Sequence, residues 1–338
     1  MQLVAEKSED SSYLVGVSMK IKPEIRDIVQ KLDVSQPVSF DSVLTNIDND
    51  IYFLTDSSGK KIVLREAKRI HSKDPDFEVR LISSFIDNNV CTPRLIKWKN
   101  DVSYYTNAGG WQIFAFEFIA GKQIDTKDII AKPEMAFAGG QILGTLHKVA
   151  LQEKISIGVN TKRNAFSELD LLFSRDTSKI KQIEGFDQFI EVLHTYEKEA
   201  MQYMNEHPDE CGAIHNDYGP QNIIFTESGT YVIDLDWACE GPLKKDVGQG
   251  IALWSLENNG LDANNEIIYQ FITGYNTTAP ISIPEELDEE ISFWIRYSCL
   301  SDACTFFHSF LDGRYTDINL TKVNQCHGYK RFEYFLNL

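Results

Sequence analysis

Ile214-His215-Asn216-Asp217-Tyr218-Gly219-Pro220-Gln221-Asn222-Ile223-Ile224-Phe225 is followed, twelve residues after Asn222, by Ile233-Asp234-Leu235-Asp236-Trp237. Two short apolar runs, Asn222–Phe225 and Tyr231–Ile233, flank the polar Thr226-Glu227-Ser228-Gly229 and read as a β-hairpin. The Gly219-Pro220 bend lets Asp217 and Asn222 turn toward one point. The hairpin then returns Asp234 to the same end of the strands.

Two carboxylates and an amide in that order suit one chemistry in particular. Phosphoryl transfer to an alcohol needs a carboxylate to orient the hydroxyl and accept its proton, and oxygen ligands for Mg²⁺. Magnesium takes few protein oxygens and keeps several waters. A lone loop aspartate more often caps a nearby backbone group; three such residues at this spacing carry more weight.

Upstream, a helix pattern opens at Lys22-Pro23-Glu24 and runs to about Leu32. Strand-like runs follow at Pro37–Thr45, Asp50–Thr55 and Lys61–Ala67, the last two joined by Asp56-Ser57-Ser58-Gly59-Lys60. Asp74-Pro75 predicts a helix start, and Phe77, Leu81 and Phe85 mark one apolar face. Pro93–Lys99 and Trp111–Phe118 complete five expected strands in a mostly antiparallel sheet. Past Ile119-Ala120-Gly121-Lys122 the pattern is helical, at roughly 133–150, 164–174, 186–206, 245–258, 263–275 and 285–311. The expected order is an N-terminal extension over 1–21, an α+β lobe over 22–118, and a mainly helical lobe over 119–338.

The pattern His-x-Asp-x(4)-Asn, a strand pair, and Ile-Asp-x-Asp resembles the aminoglycoside phosphotransferase and choline kinase family over about residues 22–310. The resemblance implies a bilobal protein-kinase-like fold with ATP, or GTP, and Mg²⁺ as cofactors. It makes Asp217 the catalytic base, and Asn222 and Asp234 the metal ligands. It gives His215 a scaffolding role and has Asp246 brace the catalytic loop from a helix start, although a plain N-cap would also explain Asp246. Asp236 either neighbours the second metal or braces the loop. Arg65, in Val63-Leu64-Arg65, aligns with the family's phosphate-binding cation on the third strand. Its expected partner is Glu78, with Glu66 as the alternative. Glu117, Phe118 and Ile119 match the linker whose backbone bonds the purine. Nucleotide would then bind between the lobes. His147, in Gly144-Thr145-Leu146-His147, matches a helix end at which the histidine is structural.

Two departures stand out. The turn from Leu44 to Asp50 has no glycine, whereas a phosphate-covering loop uses glycine for close backbone approach. Asp48 and Asp50 would repel phosphate unless they point away. Asn216 stands where the family commonly has glycine, and asparagine tolerates left-handed backbone.

Composition bounds the rest. The chain has 338 residues, 43% hydrophobic and 25% charged, within the globular range. Net charge is −17, divided as −2 over residues 1–118 and −15 over 119–338. So acidic a surface disfavours nucleic acid and anionic membrane. The six cysteines form no CxxC pair, which fits a reducing, cytoplasmic setting. The N-terminal residues lack a signal-peptide pattern, and no apolar run is long enough to span a bilayer.

The expected partner is a small-molecule hydroxyl acceptor. The layout most resembles type II homoserine kinases, favouring a homoserine-like amino alcohol over an aminoglycoside. Trp237, Glu240, Trp254, Glu257, Arg296, Tyr297 and Asp302 are candidates for the acceptor pocket, with Arg296 and Asp302 as a mixed-charge pair. Core packing is the competing reading for the aromatics. A nucleotide-binding pseudokinase would lack one of Asp217, Asn222 and Asp234, and all three are present. A protein kinase is disfavoured because DFG, APE and an activation segment are absent.

Overall fold

The computed structural model describes residues 21–45, 49–67, 75–124, 132–155, 165–166, 168–257, 262–313 and 320–337. These fall into two compact units. One contains the described residues up to Gln123 together with Ile224–Asp236; the other contains Ile124–Ile223 and the chain from Trp237 onward. The fold is α+β.

The first unit opens with α1 (Pro23–Val29) and three antiparallel strands, β1 (Ser39–Thr45), β2 (Asn49–Thr55) and β3 (Lys61–Ala67). The β2–β3 turn is tied by Asp56, whose Oδ1 accepts from the backbone N–H groups of Ser58 and Lys60, both at 2.9 Å. Ile51 pairs with Arg65 and Phe53 with Val63, so these four side chains share one face of the sheet. Tyr52, Leu54, Ile62 and Leu64 take the opposite face and pack on Ile25, Ile28, Val29 and Leu32 around α1.

Next come α2 (Pro75–Asp87), β4 (Tyr104–Thr106) and β5 (Gln112–Glu117), which complete the sheet order β1-β2-β3-β5-β4. Phe77, Leu81 and Phe85 are buried on the inner stripe of α2, and Asp74 lies outside the described residues. The fourth strand is Tyr104–Thr106, not Pro93–Lys99. The free edge of β5 is divided: Gln112–Phe114 pairs with β4, and Phe116 bridges Leu95. Trp98 bridges Leu32 instead, so residues 93–99 are split between two partners.

Further strands are β6 (Lys122–Gln123), β7 (Cys211–Ile214), β8 (Ile223–Thr226), β9 (Gly229–Val232) and β10 (Cys239–Pro242). β6, β8 and β9 form a small sheet, and Val232 N–H bonds Cys91 O at 3.0 Å. The hairpin thus joins the first unit although it follows 100 residues of the second.

The second unit is built from α3 (Glu134–Gln152), α4 (Glu168–Phe173), α5 (Phe186–Glu206), α6 (Leu243–Ser255), α7 (Asn265–Asn276), α8 (Glu289–Leu311) and α9 (His327–Leu336). Starts differ from expectation where a side chain caps the helix. Asn264 accepts from the N–H groups of Glu266 and Ile267, and Asp288 from that of Ile291. The helix read over 245–258 ends at Ser255, because Leu256–Glu257 pairs with Asp262–Ala263. α3 and α7 nearly touch: a Cβ on Gly140 would lie 1.9 Å from Phe271 O, so no larger residue fits there. Trp254, Phe271 and Tyr218 pack together beneath this crossing.

Candidate active site

In the first unit, a cleft opens on the Ile51–Arg65 face of the sheet. Ile51, Val63, Phe118, Ile224 and Ile233 give it apolar walls, while Arg65, Glu78 and Asp234 supply its polar groups. Such a lining suits a flat apolar ring carrying a charged tail. Glu117 and Ile119 also line it. The Glu117 side chain is turned to Lys60, at 2.9 Å.

Arg65 is only 3% exposed. Its Nη2 lies 2.7 Å from both carboxylate oxygens of Glu78, and its Nη1 lies 3.3 Å from Asp234 Oδ1. The guanidinium rests over the Phe114 and Phe116 rings at 5.0 and 5.3 Å. Burial works against its charge, yet Glu78, Asp236 and Asp234 outweigh that and raise its pKa above the ordinary arginine value. Nε has no hydrogen-bond partner among the described residues. The third-strand cation therefore faces the cleft and not solvent.

Glu66 is not an alternative partner for Arg65. One residue on along β3, it takes the other face, where Lys22 Nζ meets it at 2.8 Å. Lys22 also holds Asp50, at 3.0 Å; Asp50 pairs with Glu66 across the strands and so shares its face of the sheet, opposite to Arg65. Asp48 lies outside the described residues. Asp236 is buried and accepts from Asn49 Nδ2 at 3.4 Å.

In the second unit, the loop between β7 and β8 is held by one buried carboxylate. Asp246 accepts from His215 N–H at 2.6 Å and from Asn216 N–H at 2.7 Å, and its Oδ2 is 3.3 Å from His147 Nε2. Burial alone would raise its pKa. The His147 hydrogen bond, the His147 and His215 charges and the Asn216 amide outweigh burial and hold the pKa below the ordinary carboxylate value. Asp246 is not an N-cap: it lies inside the first turn of α6, whose cap position is Pro242. His147 also contacts Tyr275 Oη, at 2.9 Å, and is wholly buried.

Asn216 adopts φ +61°, the left-handed conformation that asparagine tolerates. Its Oδ1 accepts from Lys245 Nζ, on a side chain only 1% exposed. Asn222 is fully buried. Its Nδ2 donates to Asp217 O at 2.8 Å and to Asp217 Oδ2 at 3.0 Å. Its Oδ1 accepts no hydrogen bond among the described residues. A buried amide oxygen without a donor is expensive unless a cation completes it, so this donor set fits a hard divalent ion. Asp234 also has a left-handed backbone, at φ +64°. Among the described residues no three His, Cys, Asp or Glu side chains group as a metal site; magnesium does not require such a cage.

The acceptor candidates fare differently. Trp254 and Tyr297 are fully buried, Trp254 against Tyr218 and Phe271, and Tyr297 with its hydroxyl on Ala165 O; both are core residues. Arg296 and Asp302 do not pair. Six residues apart, they point to different sides of α8. Arg296 meets Glu289 at 2.6 Å, and Asp302 meets Arg331 at 3.1 Å. Trp237 and Glu240 are half-buried, and the Glu257 side chain lies outside the described residues. Arg331 went unmarked in the sequence because its partner lies far away along the chain.

Fold and residues together define a small-molecule phosphotransferase with an alcohol group as acceptor. Residues 42–281 match the model of the phosphotransferase enzyme family, and the chain belongs to that family. A homoserine kinase of Caulobacter vibrioides is 21% identical over 264 residues, covering 77% of this chain and 78% of the relative. Two solved structures share the kinase-like fold. The amicoumacin kinase hAmiN, in complex with AMP-PNP, Ca²⁺ and Ami, has a TM-score of 0.64 at 13% identity, covering 93% of this chain and 92% of the other. A microcompartment-associated aminopropanol kinase has a TM-score of 0.63 at 15% identity, covering 93% and 94%. Among the described residues no helix is long and apolar enough to cross a membrane.

Proposed function

We propose that the chain is an ATP-dependent kinase that phosphorylates the hydroxyl of a small amino alcohol of homoserine size. The observation that carries the nucleotide half is Arg65, buried in the cleft of the first unit and fixed by Glu78. The apolar walls would take the purine, and Arg65 the α- and β-phosphates. Asn222 and Asp234 would hold Mg²⁺, which when bound neutralises phosphate charge. Asp217, its carboxylate oriented by Asn222, would accept the proton of the acceptor hydroxyl.

Support for the acceptor comes from the homoserine kinase relative, matched over more than three quarters of both chains, and from the aminopropanol kinase that shares the fold. The test is a panel of amino alcohols and aminoglycosides with ATP or GTP, reading nucleoside diphosphate release. Turnover of homoserine-like compounds is expected. Aminoglycoside turnover greater by orders of magnitude would overturn the acceptor assignment.

A further inference from the structure

Asp50 and Glu66 stand directly opposite each other on β2 and β3, one rung from the Ile51–Arg65 pair that faces the cleft. Both are buried, and like charges in that relation push strands apart. Glu66 accepts from Tyr52 Oη at 3.1 Å and from Asn107 Nδ2 at 2.9 Å. Those donors are neutral and do not cancel the two charges. The cation comes from outside the sheet. Lys22, at the start of α1, bridges the rung: its Nζ lies 2.8 Å from Glu66 Oε2 and 3.0 Å from Asp50 Oδ2. The same ammonium rests against the Trp111 ring, 4.9 Å from its centroid. Burial works against its charge, yet Glu66 and Asp50 outweigh burial and raise its pKa above the ordinary lysine value.

We infer that Lys22 is a positioning residue for the nucleotide: by clamping Asp50 to Glu66 it holds the Ile51–Arg65 rung at the spacing the cleft needs. The backbone carries the effect. Asp50 precedes Ile51 in β2 and Glu66 follows Arg65 in β3, so a rung forced apart on one face of the sheet takes the cleft-facing rung with it. Ile51 is a wall of that cleft and Arg65 its cation. Glu78 and Asp234 fix the Arg65 guanidinium, but neither belongs to β2, so neither sets its distance from β3. The clamp acts from the face opposite to the nucleotide and needs no contact with it. The inference rests on the reading of this cleft as the nucleotide site, and it adds that affinity is set in part by a lysine ahead of the first helix.

The experiment is calorimetry with Mg–ATP on the full chain, which returns Kd and the fraction of competent sites separately. Lys22→Met should raise Kd roughly 10-fold, about what one weakened charge-assisted hydrogen bond to phosphate is worth. Lys22→Arg should stay near wild type. The deciding variant combines Lys22→Met with Asp50→Asn. With one carboxylate gone the repulsion is gone, and most of the lost affinity should return. A lysine that merely anchored α1 would not be rescued by removing a second of its partners. Damage to folding lowers the fraction of competent sites and leaves Kd alone. An unchanged Kd in Lys22→Met overturns this inference, as does a raised Kd that Asp50→Asn fails to restore; the nucleotide reading survives both. Wild-type protein that binds no Mg–ATP overturns the nucleotide reading and this inference together.

Discussion

Arg65 and Glu78 meet at 2.7 Å with only 3% and 7% of their side chains exposed, so neither charge has water to fall back on. Removing Glu78 leaves the buried Arg65 with Asp234, at 3.3 Å, as its remaining ion-pair partner, and breaking such a buried pair costs up to about 3–5 kcal/mol. Glu78→Ala is therefore expected to destabilise the protein by about that amount in urea unfolding. Glu78→Gln, which keeps one acceptor oxygen, should cost less and raise KM for ATP. If Glu78→Ala leaves the unfolding midpoint where it is, the pair is not closed in solution.

Asn222 and Asp217 should separate in their effects. Asn222→Ala removes the open amide oxygen and the donor to the Asp217 carboxylate. It is expected to weaken Mg–ATP binding and to lower kcat. Asp217→Asn should leave Mg–ATP binding nearly intact and lower kcat by roughly 10²- to 10⁴-fold, the usual contribution of a general base. Calorimetry with Mg–ATP distinguishes the two. Equal loss of binding in both would contradict Asp217 as the base.

The Asp246 carboxylate sets a pH dependence of stability. Its folded pKa is depressed, so unfolded chains take up its proton first as pH falls. The contribution is complete above the ordinary carboxylate value of about 3.9 and is lost below it, as pH approaches the lower folded value. Asp246→Asn should cost about 2–4 kcal/mol at pH 7, since it weakens two buried amide bonds and the contact with His147. The gap between variant and wild type should narrow below pH 4. Urea unfolding at several pH values measures it; a gap that stays constant down to pH 2.5 would contradict this account.

Much of this arrangement was legible from local sequence. The β2–β3 hairpin, the apolar face of α2 and the full span of α5 follow from spacing and turn residues, which act within a few positions. The motif placed Asp217 and Asn222 on one short loop, and they touch. Partners chosen at long range were not legible. Tyr104–Thr106 displaced Pro93–Lys99 as the fourth strand because β5 has one edge to share. Asp302 drew its cation from α9, a helix that no pattern in the sequence had marked. The return of Ile224–Asp236 to the first unit is likewise a matter of pairing between strands a hundred residues apart.

Asn216 allows a last test of how the loop is held. Its backbone sits at φ +61°, which costs most L residues about 1–2 kcal/mol and glycine almost nothing. Its side chain separately engages the buried Lys245. The two contributions come apart by substitution. Asn216→Gly keeps the backbone at ease and loses only the side-chain contact; Asn216→Ala loses the contact and adds the strain. Alanine should therefore be the more destabilising by about 1 kcal/mol in urea unfolding. If the Lys245 contact dominates, Lys245→Met should lower stability and kcat in the wild-type background and have a smaller effect in Asn216→Gly. The coupling is read from a double-mutant cycle over those two positions. Additive effects would mean that Asn216 serves the loop through its backbone alone, as the family's glycine would.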